Sequence, residues 1–343
     1  MPVTDNQQPP TRIAALDAFR GFTVAAMLVV NNPGTWSAIY APLRHAEWHG
    51  WTPADLIFPF FLFIVGITTE LAPKEPRGIV RRGLLIVLCG LLLNAFPWFR
   101  LGELRYFGVL QRIGIVYIVA ALLAYRLSRR ALIGVTVAIL LGYWAVLSLG
   151  PLEPPEATVA AQVDRALIPE AHLWKQAKTW DPEGPLSTIP AVATALLGVL
   201  AAGWVRERNV KMLTIAGAAG VAAGLAWGLV FPINKTLWTS SYVVFTAGFA
   251  GVILALWIRM LPAKPFDAFG VNPLLAFVGT GMMARLLGII KVDGVSLQAF
   301  TYRTFYKPYL PPKLASLLWA LTFVLVWYAI LLVLQKRRVY VRV

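Results

Sequence analysis

The sequence predicts an all-α polytopic membrane protein with about ten transmembrane helices and both termini cytoplasmic. Three observations predict it. Hydrophobic residues make up 58% of the chain and charged residues 14%, with a mean hydropathy of +0.68, whereas a soluble globular chain is nearer half apolar and a quarter charged. The apolar residues fall in runs of about 20, the length that crosses the hydrocarbon core of a bilayer. The basic residues, which give a net charge of +15, gather in the short segments between alternate runs, where membrane topology places them.

In chain order the runs cover 14–31, 54–72, 79–96, 107–126, 131–149, 188–205, 212–231, 241–261, 271–290 and 314–335. With the N-terminus inside, the inner segments hold Arg12, then Lys74, Arg77, Arg81 and Arg82, then Arg126, Arg129 and Arg130, then Arg206, Arg208 and Lys211, then Arg259 and Lys264, and finally Lys336, Arg337, Arg338 and Arg342. Those segments are short, and the basic residues of the outer segments are spread over longer loops, so the positive-inside tendency puts both termini in the cytoplasm. Residues 1–11 show no basic start and no small-residue cleavage site, and the first run reads as a retained helix. The longest outer loop, about 150–187, is rich in proline and acid and reads as an extended or partly helical cap. No internal repeat divides the chain, so residues 1–343 read as one membrane domain.

Several chemistries are excluded. The single cysteine, Cys89, lies inside an apolar run, which leaves no disulfide and no thiolate metal cluster. No metal-ligand spacing, nucleotide loop or serine elbow is present, so no metal is called for. The positive charge is accounted for by the loops, and no nucleic-acid motif accompanies it.

Between the first two runs, residues 43–56 hold two of the three histidines. Thr52-Pro53-Ala54-Asp55 is a helix start, with Thr as N-cap, Pro in the first turn and Asp at the capping-box position. That explains Asp55 without chemistry, and a lone loop histidine is more often a surface residue than a catalytic one. The alternative is a base that titrates near neutrality, His45, with a carboxylate ten residues on to orient it. His49 and Trp51 suit an interfacial belt. The first run ends in Asn31-Asn32-Pro33-Gly34, an ordinary helix stop whose two amides would also suit polarising a carbonyl. Asp181-Pro182-Glu183-Gly184 reads as a turn or as a carboxylate pair for an amine or sugar hydroxyls. Asn234-Lys235-Thr236-Leu237-Trp238-Thr239 reads as a carbohydrate site or as an interfacial segment. His172 has no constellation around it and reads as a surface residue.

Ionisable groups inside spans face a partner or a cavity by default. Asp17 and Arg20 share a helix face as a self-neutralising pair or a site that lends Arg20 to an anion. Gln111-Arg112 and Arg285 read as packing glue or as ligands of a phosphate.

Taken together, several segments resemble a known family. They are Arg12 to Gly21, Asn31-Asn32-Pro33-Gly34, His45 to Phe61, Gly108 to Ile113, Asp181 to Gly184, Asn234 to Thr239 and Gly270-Val271-Asn272-Pro273. The resemblance is to the transmembrane acyltransferase family that includes the lysosomal heparan-α-glucosaminide N-acetyltransferase and its bacterial relatives, over the membrane portion. It implies acetyl transfer from cytoplasmic acetyl-CoA to the amine of glucosamine or a terminal amino sugar across the membrane. It also implies a multi-pass protein of the bacterial inner membrane, surrounded by lipid, with its active histidine on the periplasmic side. Membrane enzymes of this size often form homodimers. On this basis the expected catalytic residues are His45, Asp55 and Asn31. The expected acceptor contacts are Asn32, Glu47, Trp48, Asp181, Glu183, Asn234, Lys235 and Trp238. Acetyl-CoA is expected at Arg20, Arg81, Arg82, Gln111, Arg112, Asn272 and Arg285. One departure is His49, where the animal enzyme has asparagine. Two other readings stand beside this one, an amino-sugar permease and an O-acetyltransferase for an exported glycan. Permeases often carry inverted repeats, which this sequence lacks.

Overall fold

A computed structural model describes residues 13–260 and 264–341, so Arg12 and Arg342 lie outside the described residues. The chain forms α1 (Ala14–Asn31), α2 (Pro53–Leu71), α3 (Pro76–Ala95), α4 (Val109–Arg126), α5 (Arg129–Leu147), a short α6 (Val159–Leu167), α7 (Pro185–Arg206), α8 (Val210–Gly228) and α9 (Ser240–Arg259). After these come α10 (Asp267–Val271), α11 (Pro273–Ile289), α12 (Leu297–Phe305) and α13 (Pro312–Lys336). A two-residue antiparallel ribbon, β1 (Lys291–Val292) with β2 (Val295–Ser296), links α11 to α12.

Among the described residues, nine helices are long and apolar enough to cross a membrane, and α11 is a shorter apolar helix. The run expected over 271–290 starts two residues later, because Asn272 leaves helical geometry at φ −123° and ψ 53° and Pro273 begins α11. Proline suits a first turn, where its missing N–H has no intrahelical partner to lose, although α2 and α7 continue through Pro59 and Pro190.

Successive spans alternate in direction, so the loops sort to two ends. One end carries Lys74, Arg82, Arg126, Arg206 and Arg259, and will be called the basic end. The other carries the His45 segment, the loop from Arg100 to Gly108, and the 150–184 cap. The cap is partly helical, with α6 and short 3₁₀ turns at Pro155–Ala157 and Glu170–His172. It is pinned to the His45 segment by Trp48, whose Nε1–H donates to the Leu152 carbonyl at 2.9 Å and whose ring meets Trp180 at 5.8 Å. His172 is half-buried, with Nδ1 2.7 Å from the Leu104 carbonyl and its ring stacked on Tyr106 at 4.0 Å. It therefore ties the cap to the loop before α4, where sequence alone places it on the surface.

α2 and α7 form the centre of the bundle, with Leu62, Phe63, Ile64 and Ile67 buried against Ala191, Ala195, Leu196 and Val199. Their backbones approach closely at Gly66 and Gly198. A Cβ at Gly66 would collide with the Ala195 carbonyl oxygen, and one at Gly198 with the Phe63 carbonyl oxygen. Between helices in lipid, association rests on such packing, because lipid tails are as apolar as the side chains. The outer helices present apolar stripes away from the chain, as Leu84, Leu88 and Leu92 do at i, i+4 spacing along α3, the surface a bilayer covers.

Gly66→Leu is expected to lower the stability of the protein in detergent by at least about 1–3 kcal/mol, through overpacking. Gly134→Ala, at a position with no neighbour within 4 Å, is expected to be neutral or slightly stabilising. Thermal melting of the two variants checks both outcomes.

Candidate active site

The site is built around one carboxylate. Asp55 is 1% exposed and divides its two oxygens between different tasks. Oδ2 accepts the backbone N–H of Thr52 at 3.0 Å and of Ala46 at 3.0 Å, which caps α2 and folds the preceding loop over its first turn. The Thr52 hydroxyl donates to the Arg44 carbonyl at 2.7 Å, holding the other side of that loop. Oδ1 takes no part in the cap. It lies 2.7 Å from His45 Nδ1 and 3.3 Å from Lys235 Nζ. The capping and orienting readings of Asp55 therefore hold together, one on each oxygen. The Tyr242 hydroxyl donates to the Asp55 carbonyl at 2.5 Å and joins this end of α2 to α9.

With a carboxylate at Nδ1, the imidazole carries its proton there and its lone pair on Nε2. The His45 side chain is 43% exposed, so the ring reaches water. His49 differs. Asn234, fully buried, accepts the Leu237 N–H through Oδ1 at 2.8 Å. Its Nδ2 therefore donates to His49 Nδ1 at 3.2 Å, and His49 Nε2–H donates to Glu153 Oε1 at 2.9 Å. Both ring nitrogens of His49 are committed, and Asn234 serves the fold of this rim.

Beside the histidine lies a second cluster. Arg105 makes a two-pronged contact with the buried Asp181, Nε to Oδ2 at 2.8 Å and Nη2 to Oδ1 at 2.6 Å, and also reaches Glu183 at 2.5 Å. Burial works against the Arg105 charge, but the bonds and charges of Asp181 and Glu183 overcome it and push its pKa up. The carboxylate pair expected to hold a substrate amine instead holds this guanidinium. Asp164 of α6 receives the Asp181 N–H at 2.9 Å, and burial pushes its carboxyl up to about 6.

Two cavities run along the bundle. The first, about 300 Å³, opens at the basic end and is lined there by Arg20, Lys74 and Arg82, then by apolar residues as far as Phe58, Val109, Leu110 and Phe277. The second, about 390 Å³, shares Val109, Leu110 and Phe277 with the first and continues to Asn31, Asn32, Asn94, Arg105, Gln111 and Arg285. A third, about 310 Å³, shares Asn94, Arg105 and Arg285 with the second and adds Trp98, Arg100 and Trp174. His45 lines none of the three. Its own neighbours are Asp55 at 2.7 Å and Lys235 at 3.0 Å, and Lys235 lines none of the three cavities either.

Several residues take places other than those expected. Asn31 belongs to the second cavity, and no hydrogen bond joins it to His45 among the described residues. Asn32 donates to the Leu28 carbonyl at 2.9 Å as a helix stop. Glu47 is exposed. Trp238 is 1% exposed, with its Nε1–H on Thr194 at 3.1 Å, so its face is unavailable to a sugar. Arg112, fully buried, stacks on Trp238 at 5.0 Å and donates to the Pro182 carbonyl at 2.8 Å and to Ser187. It fastens α4 to the start of α7 and has no place in the basic cavity. Asn272 clamps the segment after α13, donating to the Val339 carbonyl at 3.2 Å and accepting the Val341 N–H at 3.0 Å.

Among the expected cofactor contacts, Arg20 and Arg82 line the basic cavity and Gln111 and Arg285 the second, while Arg81 is exposed and outside both walls. Arg20 is also bonded to Asp17 and the Gly270 carbonyl, each at 3.1 Å. Sequence reasoning gave no role to Arg105, Lys74 or Glu153. A basic and an acidic cluster in loops of the same side is the one signal that would have paired Arg105 with Asp181. Among the described residues, no group of three or more His, Cys, Asp or Glu is disposed to hold a metal ion.

Fold and site define a polytopic helical membrane protein with a carboxylate-oriented histidine at one end and a basic cavity at the other. The family model described as heparan-alpha-glucosaminide N-acetyltransferase, catalytic, matches residues 12–228, and the chain belongs to that family. It is similar to the heparan-alpha-glucosaminide N-acetyltransferase of Homo sapiens, 30% identical over 79% of this chain and 53% of that protein. It is likewise similar to that of Mus musculus, 29% identical over 81% and 55%. The chain thus spans about half the length of the curated relatives it matches. His45, Asp55 and Arg105 fall inside the matched region, and Lys235 and Arg285 lie beyond it.

The raised carboxyl of Asp164 sets a pH dependence. Its folded value, about 6, lies above the ordinary 3.8, so its contribution to stability is complete below about pH 4 and is lost as pH rises through 6. Asp164→Asn is therefore expected to raise the melting temperature at pH 7.5 and to leave it nearly unchanged at pH 4, as thermal scans at the two pH values check.

Proposed function

We propose that this protein transfers an acetyl group from acetyl-CoA to the amine of glucosamine or another terminal amino sugar, with donor and acceptor entering from opposite ends of the bundle. The observation that carries the reading is the His45 Nδ1–Asp55 Oδ1 contact at 2.7 Å, in a chain of this family. A second feature supports it. The first two cavities meet at a shared wall of Val109, Leu110 and Phe277 and run from a basic to a polar lining, each of a size ordinary for small-molecule and cofactor sites. Arg20, Lys74 and Arg82 supply charge for phosphates, and the walls at Phe58, Leu110 and Phe277 suit an uncharged arm. The basic end then faces the cytoplasm by the positive-inside tendency. His45 faces outward, which in a bacterium is the periplasm.

In this reading Asp55 holds the ring and keeps the proton on Nδ1, so that the lone pair lies on Nε2. As the acceptor nitrogen attacks the thioester carbonyl carbon, Nε2 takes the proton that the amine loses. The new C–N bond forms, the C–S bond breaks, and His45 returns the proton to the departing sulfur. The same lone pair can attack the carbonyl itself and pass the acetyl on. General-base help of this kind is worth about 10²–10⁴ in rate. Asn31, Asn94 and Gln111 supply amides to the polar cavity along the route.

The test is release of CoA, and of acetylated amine, by purified protein given acetyl-CoA and glucosamine. His45→Ala is expected to reduce transfer by at least about 10²-fold, whereas His49→Ala keeps measurable transfer. Near wild-type rates for His45→Ala would overturn the reading.

A further inference from the structure

The oriented histidine raises a problem that the surrounding residues address. An anion at hydrogen-bond distance from Nδ1 favours a second proton on the ring, and a doubly protonated imidazole has no lone pair to use. The structure places a cation against the same ring. Lys235 Nζ lies 3.0 Å from Nδ1 and 3.3 Å from Nε2, and 3.3 Å from Asp55 Oδ1. It makes a three-membered cluster of carboxylate, imidazole and ammonium.

That placement is built in. The Gly50 N–H donates to the Ile233 carbonyl at 2.8 Å, and Asn234 Nδ2 to His49 Nδ1 at 3.2 Å, so the histidine segment and the lysine turn are joined at two points next to the cluster. The turn closes on itself through Trp238 N–H to the Lys235 carbonyl and Thr239 N–H to the Asn234 carbonyl, each at 3.1 Å. Its last residue, Trp238, sits in the left-handed region at φ 53°, an uncommon place for a bulky residue, held there by its buried ring. Burial pulls the Lys235 ammonium down from its ordinary range, while Asp55 and Glu183 hold it up. The groups that face the imidazole are Asp55 from α2 and Lys235 from the turn. Glu183 before α7 and Arg112 of α4 act on Lys235 from beyond it. On the histidine's own segment, Arg44 and Glu47 are exposed and His49 is committed to Asn234 and Glu153.

We propose that Lys235 is a positioning residue for His45, one that keeps the imidazole singly protonated against the pull of Asp55 and so preserves the Nε2 lone pair when the outer medium turns mildly acidic. This rests on the proposed role of His45. It removes Lys235 from the acceptor contacts and gives it a task that glutamine cannot perform and arginine can.

The test is the pH profile of kcat/KM for acetyl transfer by the full chain in detergent, with acetyl-CoA and glucosamine. In Lys235→Gln the acid limb is expected to move to higher pH by about one unit or more, with the rate on the alkaline plateau within a few-fold of wild type. Lys235→Arg is expected to restore the limb. Lys235→Met serves as a second neutral variant, and melting curves report its folding. An unmoved acid limb in both neutral variants, or a rate lost uniformly at every pH, overturns the proposal. With His45→Ala inactive, that result would defeat the Lys235 role alone. An active His45→Ala would instead defeat the function on which the role rests.

Discussion

Everything at the outer rim depends on the division of the Asp55 carboxylate. One oxygen completes the start of α2 and folds the preceding loop onto it. The other meets His45 and Lys235. Hydrogen bonds to a charged group are worth about 1.5–3 kcal/mol each, so the same side chain that starts a central helix also stations the imidazole. Because α2 packs closely against α7, with backbone approach at Gly66 and Gly198, the carboxylate sits at the start of a helix held in the centre of the bundle. A reactive group held this way keeps its geometry without relying on the loop that carries it.

The second organising feature is the Arg105 clamp. Asp181 is buried and would be costly as an unpaired charge; breaking such a pair by removing one partner typically costs about 3–5 kcal/mol. Arg105 neutralises it, engages Glu183, and forms part of the wall shared by the second and third cavities. One guanidinium thus joins the cap, the start of α7 and the polar cavity. Arg112 does similar work one layer deeper, between α4, Trp238 and Ser187. The two arginines explain why so much charge is tolerated near the membrane surface. Each is matched by fixed acceptors or a ring rather than left to water.

The fold was largely legible in the sequence, because run length and hydropathy are set by the bilayer. The exception, at Asn272-Pro273, is a local break that a hydropathy window smooths over. The capping role of Asp55 was legible in its local sequence, whereas its pairing with His45 was one of two local readings and was favoured by the family resemblance. Exposure was not legible. Trp238, Asp181 and Asn234 carry the chemistry of a sugar site, but burial and long-range partners decide their use, and Arg105 and Asp181 are 76 residues apart. Asn31 was grouped with His45 on the family resemblance and on its amide, yet helix packing sends it into a neighbouring cavity. Residue type reports what a side chain can do, and only the packing reports what it faces.

The central claim is that the two ends of the bundle serve one reaction, the donor at the basic end and the acceptor at His45. Sealed vesicles with the protein in a known orientation test it most directly, with acetyl-CoA confined to one side and labelled glucosamine to the other. The account predicts acetylated glucosamine only when acetyl-CoA faces the Lys74–Arg82 end, and its accumulation on the opposite side. Product formed only when donor and acceptor share the same side would contradict it.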